Sequence, residues 1–149
     1  SYSFVAQLRS WMPNEIGGIC WYAVENPGQS PRIPIFTGST QLPSCFDECG
    51  HGNYDENTIL WRYRKANKVA QIQWGSTKKI MIDNVLRYEE KAMKEIPALE
   101  KEVMTLLEEG KKEEAQKLMN RYTVDFEAAT AQTWKEMEHK FWERFWVNF

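Results

Sequence analysis

Three residues near the start of the chain have types and a spacing that could support binding or catalysis: Ser3, Gln7 and Arg9. They occupy odd positions in a strictly alternating segment, and the even positions are apolar: Tyr2, Phe4, Ala6 and Leu8. Alternation with period two predicts a β-strand with one apolar and one mainly polar face. That polar face either lies in solvent or lines a pocket. In a pocket, the forked N–H groups of Arg9 could hold a carboxylate, and Gln7 would support binding.

Ser1 is a second candidate, because an N-terminal serine can act as a nucleophile with its own free amine as the base. The alternative is that Ser1 is simply where the sequence starts. No oxyanion hole and no second base can be read from the spacing of the other residues. The pattern therefore favours the alternative, in which Ser1 has no catalytic role.

The cysteines offer a third kind of chemistry. Cys45 and Cys49 are separated by three residues, and His51 follows closely. Zinc sites normally separate paired cysteines by two residues and add a distant second pair, which this sequence lacks. Free thiols are therefore favoured over a local disulfide, and a metal site is least favoured. Cys20 makes the number odd, and His139 lies among glutamates without a His-Glu-x-x-His pattern, which indicates a solvated helix face.

Large aromatic side chains crowd the end of the chain: Trp134, Phe141, Trp142, Phe145 and Trp146. Packing within the helices is the favoured interpretation. The alternative is a homo-oligomer interface through the C-terminal helices, because aromatic anchors often occupy interface centres. A helix on a membrane surface is less favoured, since the polar face carries acidic as well as basic residues.

Composition bounds the class of protein. The 149 residues are 42% hydrophobic and 27% charged, with a formal net charge of −2. These values are typical of a globular domain and exclude a disordered or low-complexity chain. The near-neutral charge gives no reason to expect a nucleic-acid partner, and no apolar stretch is long enough to predict a membrane span.

The elements that must position these residues change character near Gly75. Most of the glycines and prolines of the chain lie before this point, and charged helix-forming residues dominate after it. Alternating or continuous apolar segments predict three strands, over residues 1–9, 18–24 and 32–37. Helical spacing then predicts a helix over residues 55–74, with Asp55 as its N-cap and Gly75 as its end.

The second half predicts two long helices. Apolar residues recur every three or four positions from Ile82 to Leu106 and again from Ala115 to Phe145, with Ser76 as a candidate cap and Pro97 as a kink or interruption. Gly110 separates the two stripes, so we expect an antiparallel hairpin that turns there. The predicted class is α+β, divided into residues 1–75 and a helical extension, 76–149.

Four segments of the first half resemble the C-terminal part of the C69 family of bacterial dipeptidases. In chain order they are SYSFVAQLRSWMP (1–13), IGGICWY (16–22), IPIFTG (33–38) with the later Pro43, and NTILWRY (57–63). The order matches over about half of the chain. The most specific elements are the strand that runs into Arg-x-Trp-x-Pro and the strand that begins Gly-Gly-x-x-Trp.

The resemblance implies an N-terminal-nucleophile hydrolase, folded as an αββα sandwich of two stacked sheets between helices. It implies that a cysteine at the mature N-terminus attacks the peptide carbonyl, that no metal or organic cofactor is needed, and that Arg9 lies beside the nucleophile. None of the three cysteines here can be that nucleophile, because none has a free amine. We therefore expect a C-terminal fragment, inactive alone, in which Arg9→Ala would impair catalysis with little effect on the melting temperature.

The expected function is hydrolysis of short peptides, with the missing N-terminal part of the same polypeptide as partner. Two alternatives stay open: an acyl-amide hydrolase of the same superfamily, and a non-catalytic helical module for oligomerisation or interaction. A periplasmic or secreted location is slightly favoured over a cytoplasmic one, because removal of a signal peptide would expose the nucleophilic cysteine.

Overall fold

The computed structural model describes residues 1–147, and it confirms the α+β class. A three-stranded sheet comes first, followed by long helices. The strands are β1 (Tyr2–Leu8), β2 (Gly18–Val24) and β3 (Ile33–Phe36), and the helices are α1 (Asn14–Gly17), α2 (Ile59–Ile72), α3 (Trp74–Glu108) and α4 (Lys112–Val147). A short 3₁₀ turn, Ser44–Phe46, lies between β3 and α2. No helix in the described part of the chain is both long and apolar enough to cross a bilayer.

The sheet is antiparallel with the order β1-β2-β3. Gln7 lies opposite Ile19, which in turn lies opposite Phe36. Paired residues share a face, so Gln7 belongs to the same face as these two buried side chains. Tyr122 of α4 packs edge-on against Phe36, with 6.1 Å between ring centroids. The odd-numbered, mainly polar face of β1 therefore lies on the side of the sheet against which the long helices pack, although Val5 and Gln7 themselves are exposed.

The even-numbered, apolar face of β1 is exposed. Tyr2, Phe4 and Leu8 have exposed fractions of 66%, 61% and 76%. β1 is also an edge strand, with a hydrogen-bonded neighbour on one side only among the described residues. Alternation predicts a strand at this position correctly, but most of the apolar side of that strand stays exposed among residues 1–147.

The helices and the sheet share one hydrophobic core that draws on both halves of the sequence. Trp134 of α4 is fully buried, and its indole Nε1 donates to the backbone oxygen of Gln29 and to Oδ1 of Asn67, each at 3.1 Å. Asn67 also donates through Nδ2 to Glu25 at 2.8 Å. These bonds satisfy polar groups that would otherwise be costly to bury, and they tie α4 to α2 and to the β2–β3 connection.

Two expected helix boundaries are wrong. α2 begins after Thr58 rather than Asp55, because the carbonyl and carboxylate of Asp55 accept bonds within the preceding turn. α2 ends at Ile72, because the φ of −134° and ψ of 58° at Gln73 break the helix without any glycine. Gly75 and Ser76 lie inside the first turn of α3, where the Ser76 hydroxyl donates to the Gln73 carbonyl.

The expected hairpin is confirmed. α3 runs through Pro97 to Glu108, and α4 starts at Lys112. Gly110 has a φ of +74°, a left-handed conformation that favours glycine and reverses the chain. Arg144 near the end of α4 donates to the Ser76 carbonyl at the start of α3, so the two helices run antiparallel along their whole length.

Gly110→Ala should lower the free energy of unfolding by about 1 kcal/mol, because a Cβ atom there meets no neighbour and only the positive φ opposes it. Gly75→Ala is the matched control. A Cβ atom there also meets nothing, but the residue is helical, so this change should add up to about 1 kcal/mol. Urea unfolding of the two variants should give opposite signs, and a stabilising Gly110→Ala would contradict the left-handed turn.

Candidate functional site

Arg9 directly follows β1, and a short backbone turn holds it in position. The Arg9 amide donates to the Gly17 carbonyl at 3.0 Å, and the Met12 amide donates back to the Arg9 carbonyl at 3.2 Å. A Cβ atom on Gly17 would lie 2.9 Å from the Arg9 carbonyl oxygen, and one on Gly18 would lie 2.4 Å from Cγ2 of Thr37. Gly17 is therefore required for the close approach of the Arg9 backbone, and Gly18 for the close approach of Thr37 after β3.

Three of the N–H groups of Arg9 have partners. Nη2 donates to the Ile16 carbonyl at 3.0 Å and Nε to the Gly17 carbonyl at 3.3 Å. Nη1 donates to Oε1 of Glu100 on α3 at 2.5 Å, and both side chains of this ion pair are only 12% exposed. A guanidinium has five N–H bonds, so one on each Nη atom is left without a partner among the described residues.

Gln7 and Arg9 were expected on one face of a strand, and they line the same groove. The groove has a volume of about 230 Å³ and lies between the sheet and α3. Its lining residues are Gln7, Arg9, Ile19, Trp21, Met93, Ile96, Pro97 and Glu100. Gln7 is oriented by Trp21, whose Nε1 donates to Oε1 of Gln7 at 3.1 Å. An apolar wall with a few convergent polar groups is typical of a small-molecule site.

The groove has groups that could hold a small molecule, but its lining lacks the side chains that usually act as peptidase nucleophiles. Its lining contains hydrogen-bond donors and one carboxylate, but no serine, cysteine or histidine. The free N–H groups of Arg9 can donate to a carbonyl or carboxylate oxygen, and the apolar wall can pack against a side chain. A nucleophile would have to come from outside the residues that line this groove.

The cysteines are all free thiols, and none lines the groove. Burial, reinforced by the charge of nearby Glu127, raises the pKa of the Cys45 thiol to about 12. Burial also raises the pKa of Cys20. The thiolate is the reactive form, so both thiols are poor nucleophiles in this environment. Cys49 is exposed.

The other candidate residues are dispersed. Ser1, His51 and His139 are exposed, and none of them lines the groove. Within residues 1–147, no group of three His, Cys, Asp or Glu side chains is placed to hold a metal ion. Of the aromatic residues near the end of α4, Trp134, Phe141 and Phe145 are buried, whereas Trp142 and Trp146 are exposed.

The residue that the sequence analysis missed is Glu100. A glutamate on a highly charged helix is usually solvated, so nothing singled it out. Its position in the sequence could have identified it. Glu100 follows Ile96 by four residues and therefore lies on the buried stripe of α3. A charge on such a stripe indicates a buried ion pair, although the partner cannot be read from the helix alone.

Comparisons with known proteins bear on the region that contains Arg9. The model of a family described as Peptidase family C69 matches residues 1–88, which is more than half of the chain. No curated protein matches the chain. The matched region includes Gln7, Arg9 and Trp21 of the groove, and it ends within α3 before Glu100.

Proposed function

This chain belongs to peptidase family C69, and from that membership we propose that it is the C-terminal part of a cysteine-type dipeptidase. The proposed enzyme hydrolyses short peptides through a nucleophilic cysteine at the N-terminus of an upstream segment. That segment would complete an αββα sandwich with the sheet and helices described above. The membership itself establishes a peptidase family, and the dipeptide substrate and the upstream nucleophile are the proposal.

The observation that carries this proposal is the exposed side of β1. Tyr2, Phe4 and Leu8 present an apolar face, and the outer edge of the strand is unpaired among the described residues. An exposed apolar patch next to an open edge favours association with another sheet. In an αββα sandwich, a second sheet would cover this face while helices cover the opposite one, and α3 and α4 already lie on that opposite side.

The groove supports a binding role for this chain in the reaction. The upstream cysteine thiolate would attack the substrate carbonyl with its own α-amine as base, and water would later release the acyl group. Arg9 would lie beside that thiolate as a hydrogen-bond donor, because its positive charge is paired with Glu100. Its two free N–H bonds would orient the substrate through an oxygen atom, and Gln7 would contribute from the same wall.

The isolated chain is expected to show no turnover of dipeptides, because no residue of the groove can act as a nucleophile. The measurement is release of free amino acids from a panel of dipeptides by purified residues 1–149. Ser1→Ala is the control, and it should also be inactive. Turnover by the unchanged chain that is lost in Ser1→Ala would contradict the proposal and make Ser1 the nucleophile.

The complete polypeptide provides the positive test. It should cleave dipeptides, and replacement of its N-terminal cysteine by alanine should abolish cleavage. The same enzyme should be assayed against acyl amides, because preferential hydrolysis of these would replace the dipeptidase proposal with an acylase of the same superfamily.

A further inference from the structure

We propose that Glu100 is a positioning residue. By pairing with Arg9, it leaves Arg9 to bind a neutral substrate carbonyl through its N–H donors rather than a substrate carboxylate through its positive charge. The inference rests on the proposed function, because it assumes that the Arg9 groove binds the substrate. It extends the site to a residue outside the region that matches the family model, which ends at residue 88. The helical extension thereby contributes to the site as well as to the core.

The first reason is geometric. The carbonyls of Ile16 and Gly17 hold two N–H groups of Arg9, and Oε1 of Glu100 holds a third from α3. Three acceptors on two separate elements fix both the plane of a guanidinium and its rotation within that plane. Without Glu100, the Arg9 guanidinium would have acceptors only at the end of α1. Glu100 therefore determines how the two remaining N–H bonds are oriented.

The second reason is electrostatic. Arg9 and Glu100 are both 12% exposed, so solvent screens their charges poorly, and together they are neutral. A substrate carboxylate that approached Arg9 would also approach the carboxylate of Glu100, and that repulsion would offset the attraction. A carbonyl oxygen needs only the N–H donors and carries no net charge. The pair therefore discriminates in favour of a peptide carbonyl at this position.

The chain contains a matched control pair. Arg32, just before β3, donates through Nη1 to Oε1 of Glu89 on α3 at 2.5 Å. This pair also joins the sheet region to α3, but its side chains are about a third exposed, and neither residue lines the Arg9 groove. Glu89→Gln removes the same charge from the same helix at a residue that does not line the Arg9 groove and has no contact with Arg9 or Glu100 among the hydrogen bonds and ion pairs of the described residues.

The experiment uses the complete polypeptide with Glu100→Gln, Glu100→Asp and Glu89→Gln, assayed on a dipeptide and on its C-terminal amide. Glu100→Gln leaves Arg9 as a net cation, so we expect kcat/KM for the free acid, relative to the amide, to rise about fivefold. Glu100→Asp keeps the charge but shortens the reach, so we expect kcat/KM to fall about tenfold for both substrates with no change in their ratio. Glu89→Gln should leave both values unchanged.

A purely structural role for Glu100 would lower the melting temperature without changing the substrate ratio. An active wild-type enzyme whose Glu100→Gln variant keeps the wild-type ratio would therefore overturn this inference and leave the proposed function intact. A wild-type polypeptide that hydrolyses neither substrate would overturn the proposed function, and this inference with it. If Glu100→Gln does not fold, Glu100→Asp decides the question, because unchanged kinetics there also contradict a positioning role.

Discussion

Trp134→Ala is expected to lower the free energy of unfolding by about 3–5 kcal/mol. The Trp134 ring is fully buried and packs edge-on against Tyr63 at 5.8 Å between centroids. Its indole N–H is also the donor for the Gln29 carbonyl and for Oδ1 of Asn67. Alanine would leave a large cavity and two buried acceptors without that donor. Urea or thermal unfolding followed by circular dichroism measures the loss.

Trp142→Ala is the matched control for this prediction, because it makes the same substitution on the same helix at a side chain that is 51% exposed. We expect a loss of about 1 kcal/mol or less. Equal losses for the two variants would show that α4 is not packed on the region that matches the family model. A selective loss at Trp134 would support a single cooperative unit in which the C-terminal helix stabilises the sheet region.

Arg9→Ala is the second substitution for which we expect a large effect, here on catalysis and on stability. In the complete polypeptide, kcat/KM should fall at least about tenfold, which corresponds to about 1.4 kcal/mol of transition-state stabilisation. From the sequence we expect little change in melting temperature, but the contacts of Arg9 add a second effect. Its removal breaks three hydrogen bonds and leaves Glu100 as a largely buried, unpaired charge. We therefore expect a loss of about 3 kcal/mol in stability as well.

Arg32→Ala separates the two effects of Arg9→Ala. It breaks the more exposed pair with Glu89, which should cost about 1 kcal/mol or less and leave the kinetics unchanged. Kinetics should be compared well below the melting temperature of each variant, so that loss of folded enzyme does not enter kcat. Near-normal kinetics in Arg9→Ala, combined with clear destabilisation, would show that Arg9 is only a structural ion-pair residue.

Local patterns predict much of the fold. The alternation around Phe4 and the apolar segment around Cys20 give strands close to where β1 and β2 lie. The glycine at residue 110 predicts the hairpin correctly, because a left-handed conformation is a local backbone requirement. The boundary between α2 and α3 is predicted wrongly, because Gln73 breaks the helix with a non-helical backbone conformation that no side-chain preference signals.

Only part of the candidate site can be predicted from the sequence. Gln7 and Arg9 can be assigned to one face of a strand by their spacing alone, since side chains in a strand alternate between two faces. Glu100 could not be assigned in the same way. It is 91 residues away from Arg9 in the chain, and the contact exists only because α3 crosses the sheet next to the end of β1.

By itself, the sequence determined the α+β class, the hairpin turn and the polar face that carries Gln7 and Arg9, because these depend on periodicity and on local backbone conformation. Its resemblance to family C69 is confirmed by the match over residues 1–88. Only the tertiary structure decided that α3 lies on the side of the polar face and that Glu100 neutralises Arg9. It also decided that the apolar face of β1 is largely exposed in the part of the chain that the structure describes. Burial and long-range ion pairs depend on how separate elements pack, and the spacing of residues within one element cannot specify that.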